Sequence, residues 1–316
     1  MPLDHYVPQV YLRQWRSLER DSQQVLVTRK SDLLEFPANP SSICRIENGS
    51  TNQYFDDERI LEKFLLDIEP LYNHAVGVFR QGDLTRNEVY VVAGLMAYLV
   101  HCSPTGVRLA KEYFDALILA ELTILDRAGV FPPAPEALGR MSVSELVRDG
   151  LIQPTIDEKY PHSLGIEVLT TFISYLVDAE WQVLVSDKRS GSFLTSDYPL
   201  PILIPTGMES VTRIFPLAPD LAVVVKGKDR GIEKLSDKVT FENFRYKRFL
   251  ASAKLIRMTN DLIVKAAEDL IISNARPPWL RAFVAKRADY KLINTIKRVE
   301  TPRGEKISGA LRYCRN

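Results

Sequence analysis

Glycine-rich phosphate loops are missing from this chain: neither GxxxxGK[ST] nor GxGxxG occurs, which removes two large nucleotide-binding classes. There is no GxSxG elbow and no SxxK pair, so a serine hydrolase would have no activated nucleophile. The four histidines, His5, His74, His101 and His162, are isolated, and no HExxH-type zinc site can be drawn. No acid-x-Lys triplet sits on an expected strand beside another carboxylate, as one nuclease class requires. Cysteine is scarce: Cys44, Cys102 and Cys314 show no CxxC spacing. That excludes a disulfide framework and a structural zinc, and it reads as reduced thiols in a cytoplasm. Long apolar runs are also lacking. The longest, residues 89–100, is bounded by Glu88 and His101 and is too short to cross a bilayer as a helix. A buried core helix and no membrane are expected. The opening Met-Pro-Leu-Asp-His has neither a basic start nor an apolar centre, so no secretory leader is expected.

What is present is ordinary globular material: 46% apolar and 26% charged residues leave little room for disorder across 316 positions. The net charge of +1 hides a split. From Lys226 onward there are 22 Lys and Arg against 10 Asp and Glu, or +12, leaving 19 against 30 before that point, or −11. An asymmetry of this kind points to an anionic partner for the basic part, or to two halves that neutralise one another.

The pattern of periodicities predicts an α+β fold. A helix-rich N-terminal two-thirds packs on a small, mostly antiparallel sheet, and a basic C-terminal segment follows. The expectation is a single domain over residues 1–316, with a helical part at about 56–180, a β part at about 181–226 and a helical, basic part at about 227–316. Ile60, Leu61, Phe64, Leu65, Ile68, Leu71 and Tyr72 recur at helical spacing. Thr85 and Glu88 form a capping box for a second helix, and Ser103-Pro104 supply the N-cap and first-turn proline of a third. Phe131-Pro-Pro-Ala-Pro135 predicts a surface loop. Trp181 to Val185 and Phe193 to Thr195 read as a β-hairpin, with further strands at Val211 to Phe215 and Leu221 to Val225. Helices are expected again at about 241–274, and weak periodicity thereafter.

Candidate chemistry must be assembled from distant residues. At 100° per residue Glu58, Glu62 and Glu69 form a stripe beside an apolar helix face. Glu62 and Glu69 could share a divalent metal ion or act as an acid/base pair. His5 and Asp197 complete the candidate catalytic set. Each has a plainer reading: a solvated helix boundary for the glutamates, a turn-closing aspartate before Tyr198-Pro199, and packing of His5 with Tyr6 and Trp15. Eleven Lys and Arg from Arg276 onward are interleaved with Trp279, Phe283, Tyr290 and Tyr313, which suits nucleic acid; Lys297, Arg298, Arg303 and Lys306 are the candidate contacts.

The opening His5-Tyr6-Val7-Pro8-Gln9-Val10-Tyr11-Leu12-Arg13 resembles the first motif of a bacterial family of unknown function, DUF4238. The paired Glu62 and Glu69, Thr195-Ser196-Asp197-Tyr198-Pro199 and Phe215-Pro216-Leu217-Ala218-Pro219 resemble its later motifs, in order, so the resemblance covers most of the chain. Where the family often shows Arg-Thr-Pro this chain has Cys102-Ser103-Pro104, although Arg108 follows as in the family. The resemblance implies a bacterial protein without an established activity, of a sort suspected of roles in defence against phage.

Two functions of different class are expected. The first is a nucleic-acid-acting effector, in its most specific form a metal-dependent phosphodiesterase in which His5, Glu62, Glu69 and Asp197 converge and RNA or DNA lies on the basic end. The second is a non-catalytic binding or sensing module whose basic end docks a protein partner. A small-molecule hydrolase ranks last for want of a nucleophile.

Overall fold

The computed structural model describes residues 2–17, 23–187, 189–204, 211–228, 238–301 and 304–315, with backbone alone at 298, 300, 301 and 304–306. The chain opens with β1 (Leu3–His5) and the short α1 (Gln9–Leu12), then β2 (Val25–Arg29), β3 (Glu35–Ala38) and β4 (Arg45–Glu47). Seven helices follow: α2 (Ile60–Ile68), α3 (Tyr72–Gln81), α4 (Arg86–His101), α5 (Pro104–Arg127), α6 (Val143–Arg148), α7 (Lys159–Glu167) and α8 (Leu169–Val177). The chain then turns to strands β5 (Glu180–Val185), β6 (Thr195–Ser196), β7 (Ile202–Leu203), β8 (Thr212–Ala218), β9 (Leu221–Lys226) and β10 (Arg245–Leu250). It ends with α9 (Ala253–Ala266), β11 (Leu270–Ser273), α10 (Leu280–Ala285), β12 (Tyr290–Thr301) and β13 (Gly304–Arg315).

Local chemistry explains the helix boundaries. Thr85 and Glu88 make the expected capping box at α4, each satisfying a backbone N–H that the helix leaves unpaired. The Ser103 hydroxyl accepts from the Gly106 amide at the start of α5, with Pro104 in the first turn, where its missing N–H costs nothing. Val89 to Leu99 are buried almost without exception except for Tyr90, which explains the apolar run: α4 is surrounded by other elements rather than amphipathic. Among the described residues no single helix is long and apolar enough to cross a membrane.

Five strands form one sheet in the order β10-β5-β9-β8-β7, antiparallel except where β10 runs parallel to β5. Four form a second, antiparallel throughout, in the order β3-β2-β11-β6. The mixed, mainly antiparallel α+β class is therefore as the periodicities predict. The largest apolar cluster takes Leu65, Phe79, Val92 and Leu176 from the helices and Trp181, Phe215 and Val223 from the strands.

Three local expectations are corrected. Phe193 to Thr195 do not turn back on β5, because β9 and β10 already occupy both of its edges; β6 instead pairs with β11 in the other sheet. The expected helical stretch at 241–274 holds one helix, α9, between β10, an exposed strand of sequence Arg-Tyr-Lys-Arg-Phe-Leu, and β11, a mostly buried one of sequence Leu-Ile-Ile-Ser. The basic C-terminal segment is helical only over the short α10, and from Tyr290 it is extended. The extended part is a hairpin of two twelve-residue strands, β12 and β13, in register from Tyr290↔Arg315 to Thr301↔Gly304. The hairpin's base is tied to the body: Arg108 donates to the Leu292 carbonyl (2.8 Å), the Asn294 amide donates to Glu112 (2.8 Å), and the Tyr313 hydroxyl bonds the Ile202 backbone. Alternation along β12 is blurred because one stretch faces α5 and another faces solvent.

Candidate functional site

The segments that carry the family resemblance meet in the interior. Tyr11 on α1 is fully buried, stacks on Phe215 (5.2 Å between ring centres) and places its hydroxyl between the Thr195 hydroxyl and the Pro216 carbonyl (2.9 Å). Trp15 donates its indole N–H to the Phe193 carbonyl (3.2 Å), and Tyr72 donates to the Leu217 carbonyl (3.1 Å). Burial without a partner would cost each of these polar tips free energy, so the partners are conditions for placing tyrosine and tryptophan here. These contacts are architectural.

The structure divides the four candidate catalytic residues between two surroundings. Around Tyr98, whose hydroxyl donates to the His5 carbonyl (2.9 Å), lie Asp4, Glu62 and Glu69, all close enough to raise the Tyr98 pKa beyond the effect of its burial. Burial raises the Glu69 pKa, the negative charge of Glu62 adds to that rise, and Arg13 opposes it. Glu62 lies 3.5 Å from the Arg59 guanidinium, which forks onto Asp4 at 2.8 and 3.0 Å. The His5 ring is pushed below the usual imidazole range by burial, and its Nε2 is covered without a hydrogen-bond partner. Glu62 and Glu69 therefore do share a neighbourhood beside β1. Among the described residues no group of three or more His, Cys, Asp or Glu is arranged to hold a metal ion.

Asp197 has a separate set of hydrogen-bond partners, although its charge reaches Tyr6 and Cys44 beside the opening motif. It is buried just after β6, with Oδ1 accepting from the Glu268 amide (3.0 Å) and Oδ2 from the amides of Asp269 (2.8 Å) and Leu270 (2.9 Å). Burial pushes its pKa up, the three amides pull it down, and the balance is about 6. Lys30, also buried, feels Asp197 and donates to the carbonyls of Ala267 and Tyr290 (both 2.7 Å). Glu268 in turn takes Arg108 (2.6 Å) and Lys291 (2.9 Å). The carboxylate of Asp197 fixes the turn that enters β11.

Of the candidate nucleic-acid contacts, Lys297 is an exposed residue of β12. Arg298 and Lys306 lie in the paired strands near the hairpin turn, and Arg303 lies outside the described residues. Much of the remaining basic charge is used locally: Lys265 and Arg287 both pair with Asp261, while Lys228 reaches back to Asp178.

A cavity of about 550 Å³ opens between α9, α10 and the loop at residues 190–192. Its wall holds Trp279, which is 48% exposed, and Phe283, against which Trp279 packs edge-on (5.4 Å) and Arg287 lies flat (3.7 Å). Arg257 and Lys286 face it with no ion-pair partner among the described residues, and no carboxylate lines it. Asn260 holds the loop in place, donating to the Ser192 carbonyl (2.9 Å) and accepting from the Leu194 amide (2.8 Å). The sequence points to Trp279, Phe283, Lys286 and Arg287 as basic and aromatic neighbours, but gives no sign of Arg257, Asn260, Ser190 or Ser192. The cavity exists only because α9, α10 and a distant loop pack together.

No curated protein and no solved structure is significantly similar to this chain. The family described as protein of unknown function (DUF4238) matches residues 4–277, a span that includes α9 and the loop at 190–192 but stops before Trp279. With the match extending over most of its length, and with the motif segments joined in one core, the chain belongs to the DUF4238 family.

Proposed function

We propose that the protein binds single-stranded nucleic acid at the α9–α10 cavity, as a bacterial effector of the kind that acts in the reducing cytoplasm during phage infection. One observation carries the reading: a half-exposed tryptophan beside two cations that, among the described residues, have no ion-pair partner and no carboxylate in their cavity. An exposed indole offers a flat face to any base, while Arg257 and Lys286 supply the charge that a phosphate backbone requires. Three free cysteines, with Cys44 and Cys102 buried, fit a reducing compartment. The catalytic form of this reading puts a divalent ion on Glu62 and Glu69, with His5 assisting proton transfer. What supports it is the rise that the Glu62 charge adds to the Glu69 pKa.

Trp15 and Trp181 are buried and Trp279 is not, so a titration with oligonucleotides reports on the site directly. Bound RNA or single-stranded DNA should quench the exposed component of the tryptophan emission and shield it from acrylamide. Affinity should fall steeply with salt as condensed counterions are released. A titration at low salt that leaves the emission unchanged ends the nucleic-acid reading. It would favour the alternative, a module whose basic end docks a protein partner.

A further inference from the structure

The α9–α10 cavity lies where two parallel strands end. β5 runs on into the loop whose Ser190, Gly191 and Ser192 line one wall, and β10 leads within three residues to Ala253, which lines another. Ligands commonly sit at the carboxyl ends of parallel strands, where the chain turns away from the sheet. β10 is an edge strand, paired only with β5 among the described residues, and all six of its residues are exposed. Side chains alternate along a strand, so Arg245, Lys247 and Phe249 share one face. In register they stand beside Glu180, Gln182 and Leu184 of β5, and Leu184 clusters with Ile256, so this is the face on which α9 packs. Tyr246 and Arg248 belong to the other face and bond the carbonyls of Gly82 and Arg80 at the end of α3. Arg245 donates to the carbonyls of Glu242 (3.2 Å) and Phe244 (2.7 Å), and neither it nor Lys247 has an ion-pair partner among the described residues. Phe249 is 43% exposed. Three carboxylates lie along this strip. Glu180 stands in register between Arg245 and Lys226, Glu242 precedes β10, and Asp187 accepts from the amides of Arg189 (3.0 Å) and Ser190 (2.6 Å) in its own loop. Against these three stand five exposed cations: Lys226, Arg245 and Lys247 on the strands, then Lys254 and Arg257 on α9. Beyond the opposite wall the cations are engaged, Arg287 by Asp261 and Lys291 by Glu268.

We infer that a strand seated in the cavity runs on over this face of β10, with phosphates at Lys247 and Arg245 and a base against Phe249. The inference rests on the reading of the cavity as a single-strand site. A cavity of about 550 Å³ has the size of a small-ligand pocket. Proteins that hold single strands without sequence preference cover about 4–16 nucleotides, with a basic groove along the backbone and aromatic rings under the bases. A strand bound at Trp279 therefore needs a neighbouring surface, and the β10 strip has both parts. Alternate residues of a strand stand about 6.6 Å apart, close to the rise of two stacked nucleotides in one strand. A second copy of β10 is a poor occupant: centred antiparallel pairing would set Lys247 against Arg248.

The test uses the full chain with labelled oligothymidylates of about 4 and about 16 nucleotides. Joint replacement Arg245→Gln and Lys247→Gln should lower the salt slope of the longer oligomer by about 1.4 and leave that of the shorter unchanged. Phe249→Ala should weaken the longer about tenfold and the shorter less than about twofold, whereas Trp279→Ala should weaken both. Hydrogen exchange in the unaltered protein checks the same point without a substitution: the longer oligomer should slow the β10 amides, and the shorter should not. The inference is overturned, with the cavity reading intact, if the shorter oligomer binds and the β10 variants change both lengths equally or neither. Exchange in β10 that is indifferent to the longer oligomer overturns it as well. So does polyglutamate that slows this exchange as much as the longer oligomer does, which would assign the strip to an acidic protein partner. If neither oligomer binds at low salt, the cavity reading fails and this inference falls with it.

Discussion

The N-terminal motif region and the C-terminal α9–α10 region are both rich in aromatic and polar residues, yet they use them in opposite ways. In the first, Tyr11, Trp15, Tyr72 and Asp197 are buried and their polar atoms are occupied by the chain itself. In the second, Trp279, Arg257 and Lys286 stand at a cavity with their polar capacity unspent. A motif that stands out in sequence can thus be an internal joint, whereas less distinctive residues line the open cavity proposed to take a ligand. Removal of a residue from the joint should cost stability, and removal from the surface should cost binding.

The largest effect should come from Asp197→Ala, which strips three buried amides of their acceptor and should destabilise the fold by about 3–5 kcal/mol in urea unfolding. Asp197→Asn keeps one acceptor oxygen and should cost roughly half as much. A loss below 1 kcal/mol for the alanine variant, taken at about pH 7, would break the assignment of Asp197 to architecture.

On the other side of the comparison, Trp279→Ala should weaken oligonucleotide binding about tenfold, as the loss of a stacked base implies, and change stability by less than about 0.5 kcal/mol. Joint replacement of Arg257 and Lys286 by Gln should lower the salt slope of binding by about 1.4, if each meets one phosphate of a single strand. Unaltered affinity in both variants would leave the α9–α10 face without a role.

The pH dependence separates two buried groups of opposite sign. His101 packs edge-on against Phe172 and is held down to about 3 by burial, with Arg213 adding to the shift. The unfolded chain protonates this residue near 6.5, so its contribution to stability is complete above that pH and is lost as pH falls toward 3. Asp197 runs the other way. Its folded value of about 6 lies above the ordinary 3.8, so its protonation favours the fold below 3.8 and that contribution is lost as pH rises through 6. Unfolding curves at about pH 7 and about pH 5 should show His101→Phe flattening the acid loss and Asp197→Asn steepening it.

Tyr11→Phe should cost about 1–2 kcal/mol, since Thr195 and the Pro216 carbonyl lose a shared partner in the interior. The smallest effect belongs to Lys297→Gln on the exposed face of β12. It should change oligonucleotide affinity less than about twofold. A loss as large as that of Lys286→Gln would extend the binding surface along the hairpin.

Much of the local structure is legible along the chain. Thr85 with Glu88 and Ser103 with Pro104 mark helix starts because a cap is a contact over three residues, complete within the sequence that encodes it. The apolar run of α4 and the alternation of β5 are equally local. The β12–β13 hairpin is less legible, since Leu292 is buried at its base while Val299 near its turn is half exposed, and no single period describes both. Of the candidate site, the proximity of Glu62 and Glu69 follows from helical geometry, whereas the partners of Asp197 do not: sequence order says nothing of which turn a buried carboxylate will cap.

The sequence by itself determined the α+β class, the helix caps, the buried helix α4 and the excess of positive charge beyond Lys226, because each depends on composition or on contacts a few residues long. Only the tertiary structure decided that His5 and Asp197 serve different surroundings and that residues 190–192 complete a cavity with α9 and α10. It alone decided that Arg108 and His162 each bury a nitrogen without a hydrogen-bond partner among the described residues. These arrangements depend on which distant segments share a core, and the free energy that selects among such pairings comes from burial summed over the whole chain.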